Sequence, residues 1–261
     1  MDALREYYEA HYSLDAADAE RMAAWRALGA RPKADHLLEL AGSLAPPKAH
    51  VLEVGCGDGS LLAELRERRP GWSLAGVEIA ERPVALSRAR IPDADIRLYD
   101  GMTLPFGHDS FDIAVLSHVL EHVPDPPALL REVARVARHV LVEVPLEANL
   151  SARRSSKREL SHDIGHLHRF RREDVARHAA AAGLSAVGDL TDPLPREAHL
   201  FFADSAPARV KASAKWALRS ALHAVSPRAA ERLFTVHYAC LCERRPEAGN
   251  GAVGPHGRGV T

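Results

Sequence analysis

Three glycines at alternate positions, Gly55, Gly57 and Gly59, stand directly after the apolar run Val51-Leu52-Glu53-Val54 and directly before a helical pattern that opens at Ser60-Leu61-Leu62. Glycine adopts positive φ at little cost and lets a ligand approach the backbone closely. The helix that follows aims its free N–H groups at the same point. A strand, a glycine turn and a helix in this order form a floor for a nucleotide-like cofactor. The spacing is G-x-G-x-G, whereas the dinucleotide loop reads G-x-G-x-x-G, and the position where that pattern wants its third glycine holds Ser60. No Gly-Lys-Ser/Thr follows, so a phosphate-binding loop of the Walker type is excluded. Glu53 precedes the turn, and a carboxylate there favours a ligand carrying positive charge over a pyrophosphate.

Three more segments carry polar residues at the ends of apolar runs. Leu74 to Ile79 contains Glu78, about twenty residues after the loop, where one carboxylate can accept from two ribose hydroxyls. The alternative is a solvated acid at a strand end. Asp95 to Met102 contains Asp100 and leads into Leu104-Pro105-Phe106 and Ser110-Phe111-Asp112. Ser117-His118-Val119-Leu120-Glu121-His122 closes a fourth run. Histidine titrates near neutrality and suits a general base for an alcohol or phenol. His118, His122 and the later cluster His162, His166 and His168 are candidates, with packing and hydrogen bonding as the competing role. The spacing His162-x-x-x-His166-x-His168 with Asp163 also permits a metal site. A hard divalent ion would require more carboxylates, so no metal is expected.

The run Glu53-Val54-Gly55-Cys56-Gly57-Asp58-Gly59 resembles motif I of the class I S-adenosylmethionine-dependent methyltransferases. The order Asp100, Leu104-Pro105-Phe106, Ser110-Phe111-Asp112 and Leu120-Glu121-His122 is similar to the group related to the quinone-biosynthesis methyltransferases. The resemblance covers residues 45–145 closely and extends loosely to 183. It implies S-adenosyl-L-methionine as cofactor, held by Glu53, Gly55, Cys56, Gly57 and Gly59 at the loop. Glu78 and Ile79 would hold the ribose, Asp100, Gly101 and Met102 the adenine, and Ser117 and His118 would close the site. Met102 could instead be core filler. His122, His166 and His118 are the catalytic candidates. One departure is the Pro-Gly-Gly turn of relatives, replaced by Val136-Ala137-Arg138-His139.

These residues need a scaffold that brings separate strand ends together. Strand and helix patterns alternate from residue 48 to 145, which argues a doubly wound, mostly parallel α/β sheet. With the resemblance, seven strands in a Rossmann-like methyltransferase fold are expected. N-terminal cap helices would occupy 1–44, read as Leu4–Tyr12, Ala16–Leu28 and Lys33–Ala41, with Tyr7, Tyr8 and Tyr12 as a lid or as packing. The methyltransferase domain would span 45–245, with a helical insertion at 191–233 before the last strand and a disordered tail at 246–261. The basic amphipathic pattern at 208–224 (Arg209, Lys211, Lys215, Arg219) reads as a cap helix or a membrane-surface helix. The basic run 153–158 reads as an anion contact or a solvated loop.

A net charge of −1 gives no electrostatic footprint for nucleic acid. No apolar run reaches the length of a membrane-spanning helix, the N-terminus lacks a signal-peptide order, and three scattered cysteines make no disulfide framework. The expectation is a cytoplasmic enzyme, monomer or homodimer, moving a methyl group to a small-molecule acceptor. A hydroxyl acceptor in specialised metabolism or glycan assembly is the leading reading. A tRNA or protein methyltransferase, or a non-catalytic cofactor-binding module, is the alternative.

Overall fold

A computed structural model describes residues 2–13, 15–153 and 165–245. The expected tail, His162, Asp163 and nearly all of the basic run lie outside the described residues. Seven strands form one sheet: β1 (His50–Val54), β2 (Ser73–Glu78), β3 (Asp95–Leu98), β4 (Phe111–Ser117), β5 (Ala137–Pro145), β6 (Leu184–Asp192) and β7 (His237–Arg244). Their order is β3-β2-β1-β4-β5-β7-β6. Pairings from β3 to β5 are parallel, and β7 runs antiparallel to both β5 and β6. The chain winds outward from β1 to β3, then returns to β4 on the other side of β1. Ligands of open parallel sheets bind at that reversal, beyond the carboxyl ends of the strands.

Both faces of the central strands are buried, as parallel strands require. Leu52, Val54, Ala114 and Leu116 point into one cluster, packed by Leu130 and Val133 of α5 (Pro126–Val136) and Val175 of α6 (Arg172–Ala181). The alternating residues Val51, Ile113 and Val115 enter the opposite cluster with Leu62 and Leu65 of α3 (Ser60–Arg68). Period-two alternation thus divides each strand between two cores. The chain passes from α5 at Val136 straight into β5 at Ala137, so no turn stands where relatives carry Pro-Gly-Gly. Gly183, at φ +79°, follows α6 and terminates it.

The N-terminal region departs from the expected three helices. α1 spans Asp2–His11, and α2 runs without a break over Ala16–Ala41 with Pro32 inside it. Proline removes one hydrogen bond of the helix ladder, but Ala30, Ala34, Leu37 and Ala41 form a buried stripe on both sides of it. Burial of that stripe against α3 and the sheet carries the helix through the proline. α1 is tied across the top by polar contacts: Arg5 Nε donates to the Ile79 carbonyl at 2.9 Å, and Glu9 accepts from the backbone of Glu81 and Arg82. Those two N–H groups open α4 (Glu81–Arg90), so Glu9 caps another helix across space.

Before β7 lie α7 (Arg196–Leu200), α8 (Ala206–Val225) and α9 (Pro227–Leu233). One of the four basic residues of α8 faces inward: Arg219 is buried, donates to the Thr235 carbonyl at 2.6 Å and stands over the Phe234 ring. Among the described residues no helix is long and apolar enough to cross a membrane.

Gly59 precedes α3 in the left-handed region, at φ +74°, and a Cβ there would meet Ser87 Oγ at 2.5 Å and Ser87 Cα at 3.3 Å. Gly59→Ala is expected to destabilise the fold by about 1–3 kcal/mol. Denaturant midpoints of the two proteins check this, and equal midpoints would refute it.

Candidate functional site

The carboxyl ends of β1, β2 and β4 open into a cleft of about 740 Å³, roofed by α1 and the first half of α2. The glycine loop is its floor. Gly55, Gly57 and Gly59 all have positive φ, at 74°, 53° and 74°. A Cβ at Gly55 would reach within 2.7 Å of Val119 Cγ2, and one at Gly57 within 2.5 Å of Tyr12 Oη. The loop hangs on β2 through Gly55 and Cys56 N–H, which donate to the Val77 carbonyl at 2.8 and 3.0 Å. Asp58, which sequence reasoning passed over, is 2 % exposed within the loop and accepts from Arg26 of α2 and Arg90 of α4 at 2.9 and 3.1 Å. It locks the glycine turn to two helices. The signal for it was an acid between two glycines of a turn that must be buried.

Glu78 ends β2 with its carboxylate turned back over the loop. It accepts from Gly57 N–H at 3.0 Å and Ile79 N–H at 2.6 Å. Burial raises its pKa, and those backbone donors oppose the rise. Glu53 lies deeper. Burial pushes it up to about 8, Lys33 opposes, and Oε2 has no hydrogen-bond partner. Cys56, Ile79 and Gly101 also line the cleft. Asp100 and Met102 sit at the exposed rim beside Gly101. The Asp100 carboxylate accepts from Met102 and Thr103 N–H, each at 2.7 Å, which holds its pKa below the usual range. Met102 is 53 % exposed, so it fills no core. Gly59 lies beneath the floor against Ser87.

Tyr7 and Tyr8 of α1 and Tyr12 just after it line the cleft. Tyr12 lies under the Arg26 guanidinium, 4.5 Å from its ring centre, and the Tyr8 ring meets His122 edge-on at 6.0 Å. The tyrosines therefore line the cavity and also pack the roof.

Past β4 the cleft becomes rich in histidine. Ser117 is buried with an unpartnered hydroxyl, and His118 follows at φ +59°, an uncommon conformation for a residue with a side chain. Its Nδ1 stands 3.1 Å from Glu121 Oε1. Burial, then His237 and Lys33, lower the His118 pKa to about 4. His122 Nδ1 is 3.1 Å from the Gly165 carbonyl, which makes Nδ1–H the donor and leaves Nε2 as the acceptor nitrogen. Burial lowers the His122 pKa. The stretch from Gly165 is pinned beside this turn by Leu167 and His168 N–H, which donate to the Glu121 carbonyl at 2.7 and 3.1 Å. That places the His166 ring 4.8 Å from His122, with His166 Nδ1 2.9 Å from Glu147 Oε2. His168 turns away to the Val123 carbonyl at 2.8 Å. Glu143, His237 and His36 complete the histidine end, and none stood out in the sequence: Glu143 lies in a strand, and His237 is 119 positions from His118.

The cavity meets the demands of a nucleoside cofactor with a cationic part. A Cβ would fill its floor, Glu53 brings an unpartnered buried carboxylate oxygen, and Glu78 faces the loop at ribose spacing. A doubly wound sheet with a cofactor cleft at its reversal point is the class that fold and site define. The family profile described as a methyltransferase domain matches residues 22–188, and the chain belongs to that family. A nocamycin O-methyltransferase from Saccharothrix syringae is 35 % identical over 114 residues, covering 41 % of this chain and 40 % of the relative. A ubiquinone biosynthesis O-methyltransferase from Hahella chejuensis is 34 % identical over 99 residues, covering 36 % and 41 %. The matches thus span about two fifths of either relative. Geranyl diphosphate C-methyltransferase from Streptomyces coelicolor A3(2), solved with Mg²⁺, geranyl diphosphate and S-adenosyl-L-homocysteine, shares the fold with a TM-score of 0.62 at 15 % identity, over 82 % of this chain and 79 % of that one. S-adenosylmethionine is the cofactor of the family.

Proposed function

We propose that the protein transfers a methyl group from S-adenosylmethionine to a hydroxyl group of a small molecule in specialised metabolism or glycan assembly. The observation that carries this is the pair His166–Glu147 beside His122, at the end of the cleft that adjoins the glycine loop. A carboxylate on Nδ1 orients the imidazole and fixes which ring nitrogen carries the proton, as an oriented general base requires. The O-methyltransferase names of two relatives support the same reading.

In this proposal the backbone of Gly55 and Gly57 bears the cofactor, Glu78 holds its ribose, and Asp100 receives its adenine at the rim. Glu53 faces its cationic part. The cofactor supplies an electrophilic methyl carbon on a sulfonium. His166, oriented by Glu147, removes the acceptor's hydroxyl proton with His122 alongside, while Tyr7 and Tyr8 of α1 exclude water. The test is incubation with methyl-labelled cofactor and a panel of phenols, alcohols and sugars. Label in a methyl ether is expected. With the acceptor so found, His166→Gln should slow a single turnover by about 10²-fold or more. Label only in RNA, protein, carbon or nitrogen products would overturn the hydroxyl reading, and an unaffected rate would remove His166 as base.

A further inference from the structure

We propose that His118, His237 and Glu143 form a site for one divalent transition-metal ion, with zinc the reference ion, at the histidine end of the cleft. His118 directly follows β4, Glu143 lies near the end of β5, and His237 begins β7. Their nearest donor atoms form a triangle: His118 Nε2 to His237 Nδ1 is 3.4 Å, His237 Nδ1 to Glu143 Oε1 is 3.3 Å, and His118 Nε2 to Glu143 Oε1 is 3.9 Å. A point equidistant from the three atoms lies about 2.1 Å from each, and zinc binds imidazole nitrogen and carboxylate oxygen at roughly 2.0–2.2 Å. Two imidazoles and one carboxylate suit zinc or iron, and leave coordination positions open.

Glu143 is the second observation. It is fully buried, and neither of its carboxylate oxygens completes a hydrogen bond, although three imidazoles surround it. Buried ionisable groups are ordinarily paired, hydrogen-bonded or bound to metal. An ion between His118 and His237 would satisfy Oε1. Oε2 faces His36 Nδ1 at 3.5 Å, and His36 Nε2 in turn lies 3.4 Å from Asp192.

The outer contacts have the form that metal centres use. A ligating histidine commonly gives its other ring N–H to a carboxylate, which sets the tautomer and aims the lone pair. His118 Nδ1 stands 3.1 Å from Glu121 Oε1, an oxygen with no hydrogen-bond partner, and the left-handed backbone of His118 holds its ring beside that carboxylate. The far oxygen of the ligating carboxylate faces the His36–Asp192 pair. His118 and His237 both line the cleft, so the open side of the ion faces the acceptor end. An oxygen of the acceptor, as hydroxyl or alkoxide, is the ligand class for that position. Only this last assignment rests on the methyl-transfer reading; the metal site does not.

The full chain, stripped with chelator, is titrated with Zn²⁺ by calorimetry and with Co²⁺ by visible absorption. One equivalent should bind, with the intense absorption of a four- or five-coordinate cobalt centre. His237→Gln and Glu143→Gln should each weaken binding about 100-fold or more, and Glu121→Gln about 10- to 100-fold. His237→Cys should add a thiolate-to-cobalt charge-transfer band. Binding of S-adenosylhomocysteine reports that each variant is folded, and where a variant loses it the wild-type cobalt spectrum decides. Absence of that spectrum, a folded His237→Cys without the new band, or binding kept in His237→Gln but lost in His122→Gln would each overturn the assignment. The last result would move the ion to the neighbouring group Glu121, His122 and His166. Metal binding without methyl transfer to any hydroxyl would sink the proposed function and leave the metal site standing.

Discussion

Glu78→Ala is expected to weaken binding of S-adenosylhomocysteine by two orders of magnitude or more while the sheet remains folded. Two hydroxyl donors to one buried carboxylate amount to about 3 kcal/mol or more, since hydrogen bonds to charged groups contribute roughly 1.5–3 kcal/mol each. In the free protein the same carboxylate accepts from Gly57 and Ile79 N–H, so the variant also loosens the loop that bears the ligand. The residue ends β2, and its neighbours in the strand, Leu74, Ala75 and Val77, keep their burial without it. Calorimetric titration measures the loss. A cofactor analogue lacking the ribose hydroxyls separates the two contributions: it should bind wild type and variant within about tenfold. Unchanged affinity for the natural cofactor would remove Glu78 from the site.

The second large effect is a pH dependence that belongs to Glu53. Its carboxyl is raised to about 8, first by burial, with Asp58 and Glu78 adding and Lys33 opposing. At pH 7 the free site therefore holds it mostly protonated. A cationic ligand beside it favours the carboxylate and lowers its pKa, so binding releases a proton. The sign follows from linkage: affinity is lowest where Glu53 is protonated in both states, rises as pH increases toward 8, and is level above it. Between pH 6 and pH 8 the gain should be roughly tenfold or more. Glu53→Gln should abolish the slope. Comparing S-adenosylmethionine with S-adenosylhomocysteine locates the cation, because only the first carries a sulfonium while both carry the amino group. A slope confined to the first assigns Glu53 to the sulfonium, and a slope in both assigns it to the ammonium. A flat profile for both ligands in the wild-type protein would refute the prediction.

The glycine-loop end of the cleft was legible because its chemistry is local. Gly55, Gly57 and Gly59 are read from a spacing of two, and each carries the positive φ that only such a turn demands. Glu78 lies about twenty residues on because the helix and second strand of one βαβ unit take up that length. α2 was less legible. Pro32 looks like a boundary, and only burial of Ala30, Ala34, Leu37 and Ala41 against partners distant in sequence explains why the helix continues. Asp58 was hidden for a similar reason, since its partners Arg26 and Arg90 flank it at 32 positions on either side.

The sequence by itself determined the mostly parallel sheet, its alternation of strands and helices and the glycine floor, which rest on periodicity and short-range steric rules, and its motifs gave the cofactor class through their resemblance to a known family. Tertiary structure alone decided the histidine end. His36 lies in α2, His118 just past the end of β4, Glu143 in β5 and His237 at the start of β7, and they meet only because β7 inserts antiparallel between β5 and β6. A histidine in a terminal strand gives no sign in sequence of the carboxylate it will face. Non-local pairing supplies that neighbour, and burial then makes the encounter chemically consequential.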